Sequence, residues 1–236
     1  VSGGVWAFGN LRTEDNVLLR HNTIEIDAPV SLDNFVSWQK DIRNLNAIER
    51  ADFKVVGLQD NQDRLFFLAE VEEKKPYYMA FGLGYDTARD AYLTISAGDR
   101  NFLGMNRILS LDTEVSGVGY DVNLGLKDFD FLSQYIVTEL SLYTSREELK
   151  NQTFGTKKSG TSLSFQKDLS RFLKVGTSLG VEVREQFEIE DSADHDPDDF
   201  QTRGVFKFTP FITWNSVDSF VRPTRGFYVN TSAGYN

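Results

Sequence analysis

The sequence contains no cysteine and only two histidines among its 236 residues. The lack of cysteine excludes a disulfide framework and a thiol nucleophile. The two histidines, His21 and His195, belong to no Ser-His-Asp or paired-carboxylate arrangement that could support acid-base or nucleophilic catalysis. The composition therefore predicts a protein that is not an enzyme, needs no cofactor and holds no metal ion.

Long hydrophobic runs are also missing. No stretch reaches the ~18 apolar residues of a transmembrane helix, and the N-terminus lacks the basic start and apolar core of a signal peptide. The formal net charge is −10, with the acidic excess spread over both halves of the chain. Nucleic-acid binders carry a basic footprint, so the charge argues against that class of partner.

The most regular stretch is YYMAFGLGYD, residues 77 to 86, in which large apolar side chains alternate with small or polar ones. Only a β-strand sorts side chains with a period of two. One wholly apolar face and one face of glycine, alanine and aspartate suit a wall between hydrocarbon and a wet interior.

From Pro76 onward, further strand-sized runs repeat this alternation, separated by polar turns. A soluble antiparallel sandwich would also alternate. Two features favour a transmembrane barrel, namely charges on the inward face and aromatic residues near strand ends. These aromatic residues are Tyr77, Tyr78, Tyr135, Tyr143, Trp214 and Tyr228.

The first 75 residues have a different pattern. Strands are predicted at Val5 to Phe8, Phe53 to Leu58 and Arg64 to Val71. Between the first two strands, Thr13 and Ser31 are predicted to cap two helices. The order β-α-α-β-β is enough for a small two-layer domain with helices on one face of a three-stranded sheet.

This order, with VWAFGN at the start and LAEVEEK at the end, resembles a POTRA domain, the periplasmic module of outer-membrane assembly proteins. The turn at Gly9 and Asn10 is one of the marks of that family. The sequence departs from the pattern at residues 46–52, where a glycine is usual.

Two turn motifs in the alternating half are similar to those of the BamA/TamA family of outer-membrane insertases. GDRNFLGMNR, residues 98–107, resembles the turn after the second barrel strand and supplies Asn101, Phe102, Leu103 and Gly104. VDSFVRPTRGFYVN, residues 217–230, resembles a mid-barrel periplasmic turn and supplies Asp218, Pro223, Thr224, Arg225 and Gly226.

The resemblance implies an α+β POTRA domain (β-α-α-β-β) at residues 1–75. It is followed at 76–236 by an all-β antiparallel transmembrane barrel of about nine strands. Family members have sixteen strands, so the sequence is expected to be an incomplete fragment of such a barrel, its N-terminal half. The implied location is the bacterial outer membrane, with the POTRA domain in the periplasm. With that orientation, the turns near 100–106, 129–133, 168–172 and 215–226 face the periplasm.

The resemblance also implies a function, the insertion of β-barrel proteins through a laterally opening seam. Gly82 and Gly84 weaken the pairing of the first barrel strand, so its edge is the expected client-binding site. The site comprises Tyr77, Met79, Phe81, Gly82, Leu83, Gly84 and Tyr85. The implied partners are the outer-membrane bilayer, unfolded β-barrel or secreted clients, and accessory assembly proteins. Two alternatives are a two-partner secretion transporter of the same superfamily and a passive outer-membrane channel or adhesion barrel.

An acidic segment, residues 188–199, is predicted to form an outward-facing loop. Asp194, Asp196 and Asp198 have the spacing that opens an EF-hand, but the glycine at the sixth position is absent and the twelfth position is Val205. The segment is therefore predicted to be a solvated loop without a metal ion.

Overall fold

The computed structural model describes residues 1–58, 63–148, 154–188, 201–219, 221–222 and 224–235. The chain divides into two compact units. The first unit comprises Val1–Tyr78 together with Asp99–Ile108, and the second comprises Met79–Gly98 together with Leu109–Asn236.

The first unit contains β1 (Ser2–Phe8), α1 (Asp15–Leu19), α2 (Leu32–Arg43), β2 (Ile48–Val56) and β3 (Leu65–Glu73). Its sheet has the order β1-β3-β2, in which β1 runs parallel and β2 antiparallel to β3. The apolar residues of both helices pack on one face of this sheet, because a helix stripe and a sheet face must bury each other. Leu18, Trp38, Ile42, Phe67 and Ala69 lie at the centre of the core.

One predicted helix cap is confirmed and the other is wrong. The Ser31 hydroxyl accepts a hydrogen bond from the backbone N–H of Asn34 and caps α2. Helix α1 begins after Glu14 and has no side-chain cap. The hydroxyl of Thr13 instead accepts a hydrogen bond from the side chain of Asn101, a contact that local sequence could not reveal.

Strand β2 begins five residues before the predicted Phe53, at Ile48. The register of its pairing with β3 shifts between Ile48 and Arg50. An extra residue in one strand moves the following side chains to the other face, and Ile48 and Ala51 are both buried although three positions apart. The bulge therefore conceals the period of two in the sequence.

The remaining strands form a nine-stranded antiparallel sheet in the order β12-β11-β10-β9-β8-β7-β6-β5-β4. The antiparallel sheet predicted from residue 76 onward is thus confirmed. The sheet is open, with β4 and β12 at its two edges. The strands are β4 (Tyr77–Asp86), β5 (Asp90–Phe102), β6 (Arg107–Ser116), β7 (Gly119–Phe131), β8 (Ile136–Glu147), β9 (Phe154–Asp168), β10 (Leu173–Glu188), β11 (Arg203–Asn215) and β12 (Tyr228–Ser232).

The two faces of this sheet differ in chemistry. On one face, which we call the apolar face, Leu140, Leu163, Leu179 and Phe208 pair side by side across four strands. Large side chains on this face are exposed, for example Val181 at 53% and Ile212 at 55%. The opposite face, the polar face, carries glycine, serine and charged residues. None of the helices in the described ranges is both long and apolar enough to cross a bilayer.

Candidate functional site

The predicted client-binding residues lie on β4, the edge strand of the nine-stranded sheet. Its large side chains project from the apolar face with most of their surface exposed: Tyr77 70%, Met79 65%, Phe81 69%, Leu83 86% and Tyr85 73%. Among the strands that the structure describes, β4 pairs with β5 alone. Its other side therefore presents unpaired backbone N–H and C=O groups, which can template a further strand.

The two glycines of β4 lie on the polar face, where side chains of β5 cover them. A Cβ atom on Gly82 would lie 2.4 Å from the Thr94 hydroxyl oxygen, and one on Gly84 would lie 2.3 Å from the Tyr92 ring. The guanidinium of Arg89 stacks over the same tyrosine ring at 4.0 Å. A larger residue at either position would have to displace these side chains of β5. The proposed weakness of this strand pairing stays a prediction.

The first turn motif is bound within the first unit rather than being a simple connection. Asn101 is only 3% exposed. Its amide nitrogen donates to the Thr13 hydroxyl at 2.9 Å, and its amide oxygen accepts from the backbone N–H of Asn106 at 2.8 Å. The side-chain oxygen of Asn106 in turn accepts from the backbone N–H of Ala47 at 2.8 Å. The motif asparagines therefore tie the turn to two separate segments of the N-terminal module.

Backbone geometry and an ion pair complete this attachment. Gly104 has φ +71°, and a Cβ there would lie 2.3 Å from the backbone oxygen of Arg12. The guanidinium of Arg12 forms an ion pair with Asp99 at 2.6 Å. Leu103 also has a positive φ, of 58°, and its side chain is 62% exposed, like a turn tip. Phe102 ends β5.

Sequence reasoning identified Asn101 and Gly104 but missed Asp99 and Asn106. Both missed residues are at least nine-tenths buried and polar. Their partners are more than fifty residues away along the chain. Neither residue stands at a position that side-chain periodicity or motif spacing would have singled out.

The second turn motif is organised by one carboxylate. Asp218 accepts hydrogen bonds from the Thr224 hydroxyl at 2.5 Å, the Thr224 backbone N–H at 2.9 Å and the Arg225 backbone N–H at 3.1 Å. These donors, the threonine hydroxyl first, lower the pKa of Asp218 to about 2. The aspartate at the start of the motif therefore closes the turn by binding the Thr-Arg pair at its end.

Gly226 closes the same turn with φ +93°, and a Cβ on it would lie 2.1 Å from the Ser216 backbone oxygen. Only glycine combines this φ with such a close approach. Pro223 and most of the acidic segment 188–199 lie outside the described residues.

The predicted turn at Gly9 and Asn10 has a comparable explanation. Gly9 has φ +93°, and a Cβ there would lie 2.2 Å from the backbone oxygen of Val71. The Asn10 amide donates to the Thr13 backbone oxygen at 2.8 Å and to the Asp15 carboxylate at 2.7 Å. These two residues direct the chain from β1 into α1.

The polar face carries a buried carboxylate, Glu182, which is 3% exposed. One of its oxygens accepts from Tyr143 at 2.8 Å and Lys207 at 2.9 Å, and the other accepts two hydrogen bonds from Arg184. Tyr143 on β8 reaches β10 across Gly160 on β9, because the glycine leaves room for its ring. This network connects strands β8, β10 and β11. Across the described ranges, no group of three or more His, Cys, Asp or Glu could hold a metal ion.

Long antiparallel strands with one exposed apolar face and one polar face are typical of the wall of an outer-membrane β-barrel. Residues 101–236 match the model of the Omp85 superfamily domain, and the chain belongs to that superfamily. Membership implies an outer-membrane location. No curated protein sequence matched the chain.

Solved structures that share the fold include one BamA and two CdiB proteins. BamA from Haemophilus ducreyi lacking POTRA domains 1–3 aligns with a TM-score of 0.77 at 16% identity, over 97% of this chain and 47% of that one. CdiB from Acinetobacter baumannii aligns at 0.57 and 10% identity, over 99% and 46%. CdiB from Escherichia coli aligns at 0.59 and 12% identity, over 89% and 41%. This chain spans less than half the length of each.

Proposed function

We propose that the protein inserts β-barrel proteins into the bacterial outer membrane by pairing client strands with the free edge of β4. The observation that carries this proposal is the combination, on one strand, of unpaired backbone groups and a row of exposed apolar side chains. A client strand added there gains backbone hydrogen bonds and extends the apolar face, as in β-augmentation. No covalent chemistry is needed.

We propose that these nine strands form one part of a closed barrel. An open sheet in lipid would leave two rows of unpaired backbone groups, which is costly. The apolar face has the height that a bilayer needs. On β10 it runs from Leu173 to Val183, a length that agrees with the ~9–11 residues of a tilted transmembrane strand.

We further propose that residues 1–75 form a periplasmic POTRA domain that receives clients before they reach β4. The order β1-α1-α2-β2-β3 and the sheet order β1-β3-β2 support it. The alignment with a BamA lacking POTRA domains 1–3 covers 97% of this chain, including residues 1–75 in large part, and is compatible with this assignment.

Crosslinking along β4 tests the insertion function. The chain contains no cysteine, so a single cysteine gives no background. We expect Leu83→Cys to form disulfides with a client carrying a cysteine in its terminal strand during assembly. The control is Val115→Cys, which also lies on the apolar face but within the sheet, and is 51% exposed. Equal capture at both positions, or none at Leu83, would contradict insertion through this edge.

A two-partner secretion transporter is the second candidate, because the fold also aligns with two CdiB structures. Such a protein passes its client along the polar face. Ser141→Cys, in the middle of β8, would then capture the client, while Leu83→Cys would not. A passive channel would capture no client at either position.

A further inference from the structure

Lys167 is a cation on the apolar face of the nine-stranded sheet. It lies on β9, directly opposite Ile136 of β8 and Val175 of β10, and Phe165 lies two residues before it on the same face. Directly opposed residues, and residues two apart on one strand, point to the same side of a sheet. Lys167 is half-buried. The sheet therefore places an ammonium group beside hydrocarbon side chains.

No carboxylate adjoins Lys167 on this face within the described part of the chain. Asp168 follows it but points to the polar face, where it pairs with Lys174 at 3.7 Å. Asp128 and Asp130 belong to β7, two strands away, which is roughly 9 to 10 Å at the usual strand spacing. The diagonal neighbours of Lys167 on β8 and β10 are uncharged, namely Thr138, Leu173 and Thr177.

A second cation, Arg171, lies in the turn between β9 and β10. Its guanidinium stacks 4.6 Å above the ring centre of Phe172, and that ring stacks on Trp214 at 6.0 Å. Trp214 lies on the apolar face opposite Leu173, near the end of β11. A stacked guanidinium keeps its in-plane N–H groups available for an oxyanion. Arg171 and these rings therefore lie at the margin of the apolar face.

The two cations need a counter-anion from outside the sheet. A lysine stem can lie along apolar surface while its ammonium extends to the polar boundary. Aromatic side chains of membrane barrels lie at the level of the lipid headgroups, so Phe172 and Trp214 mark that level here. The anion present at this level of a bilayer is the lipid phosphate.

We propose that Lys167 and Arg171 form a binding site for the phosphate of an anionic phospholipid. The two residues are four positions apart in one hairpin, so their Cα atoms are at most ~14 Å apart, a span that two long side chains and a headgroup bridge. The guanidinium fork of Arg171 donates two parallel hydrogen bonds to phosphate oxygens, and the ammonium of Lys167 approaches a third oxygen. The acyl chains lie on Ile136, Phe165 and Val175. The site requires that the apolar face contacts lipid, but it does not require client insertion.

Quenching of Trp214 by brominated lipids tests the proposal on the whole chain in phosphatidylcholine vesicles. Brominated phosphatidylglycerol and brominated phosphatidylcholine are compared at equal mole fraction, and Trp6 and Trp38 in the first unit give a constant background. We expect the wild type to prefer phosphatidylglycerol beside Trp214 by about fivefold or more, the attraction that one basic residue near an anionic surface provides. In the variant K167Q/R171Q the preference should fall to about one.

The matched control is K127Q/K157Q, which removes the same charge elsewhere in the sheet. Lys127 lies on the polar face and pairs with Glu139, and Lys157 lies on the apolar face ten residues before Lys167, toward the other end of β9. This control should keep the wild-type preference. Brominated phosphatidylcholine should quench all three proteins alike, which shows that each is inserted in the bilayer.

Equal quenching of the wild type by the two lipids, or equal loss of the preference in both double variants, would overturn the proposal. Absence of quenching by either lipid would overturn it as well, together with lipid contact of the apolar face, whereas client capture at Leu83→Cys is measured separately. A further readout needs no variant. Added sodium chloride should weaken the wild-type preference, because salt screens the attraction. Loss of the preference in inorganic phosphate but not in chloride of equal ionic strength would assign the site to soluble phosphate and contradict the lipid assignment.

Discussion

The side-chain amide of Asn101 donates a hydrogen bond of 2.9 Å to the hydroxyl of Thr13, which lies 88 residues earlier in the chain. The motif that contains Asn101 is therefore more than a tight turn between β5 and β6. It belongs to the same compact unit as the N-terminal module. The stability of that module should depend on the turn, and this dependence can be measured.

We expect Asn101→Ala to destabilise the first unit by about 1–3 kcal/mol, because it leaves a buried hydroxyl and a buried N–H without partners. Urea unfolding followed by tryptophan fluorescence reports on this unit through Trp38, which is 1% exposed in its core. Asn16→Ala is the control, since Asn16 is exposed and its side chain donates to the neighbouring Glu14. Equal effects of the two substitutions would refute the structural role of Asn101.

Gly104→Ala should lower the stability of the same unit by about 2 kcal/mol or more. A non-glycine residue at φ +71° is strained, and its Cβ would meet the backbone oxygen of Arg12, which cannot move aside easily. Gly204→Ala is the matched control, because nothing lies within 4 Å of its Cβ position. Gly204 lies in the second unit, so its effect is followed through Trp214 on the same strand. The urea titration should show almost no change for this control, and a comparable loss there would contradict the explanation.

The Asp218 turn should respond to acid. The folded-state pKa of Asp218, about 2, is below its ordinary value of 3.8. Its carboxylate therefore stabilises the turn fully above about pH 4, and this contribution is lost as the pH falls through about 2. Titration of the ¹³C-labelled aspartate carboxyl by NMR should show this midpoint.

Thr224→Val removes the strongest donor to that carboxylate but keeps both backbone donors, so the pKa should rise part of the way toward 3.8. An unchanged midpoint in Thr224→Val would show that the hydroxyl does not hold the carboxylate.

Glu182→Gln should destabilise the sheet by about 1–2 kcal/mol. Hydrogen bonds to charged groups are worth ~1.5–3 kcal/mol, but Lys207 and Arg184 are more than a third exposed, and solvent screens part of the loss. The temperature at which heat-modifiable gel migration is lost measures the effect. Glu139→Gln, in the exposed pair with Lys127 at 3.6 Å, should change it little. The reverse order of effects would contradict the role of Glu182.

Strand patterns in this protein could be predicted from sequence because the apolar face enforces a period of two. In β4 and β10 the alternation is unbroken, and the predicted antiparallel sheet is confirmed there. In β2 a bulge between Ile48 and Arg50 breaks the alternation, so its first five residues could not be assigned to a strand.

The contacts that fix the turns were less predictable. Asp218 and Thr224 are only six residues apart, and the motif resemblance named both without revealing that one binds the other. Thr13 has the sequence context of a helix cap, but its hydroxyl bonds to Asn101 instead. Polar partners far apart in sequence have no local signature, since only tertiary packing brings them together.

Quenching by brominated lipids tests most directly the claim that the apolar face of β4 contacts acyl chains. Tryptophan would be placed on this face by Phe81→Trp and, on the polar face of the neighbouring strand, by Ser96→Trp. Both variants carry Trp214→Phe, which leaves Trp6 and Trp38 in the first unit as the constant background. We predict strong quenching of the tryptophan at position 81 by bromine near the bilayer centre and none of the tryptophan at position 96. Equal quenching at the two positions, or none at position 81, would contradict the account.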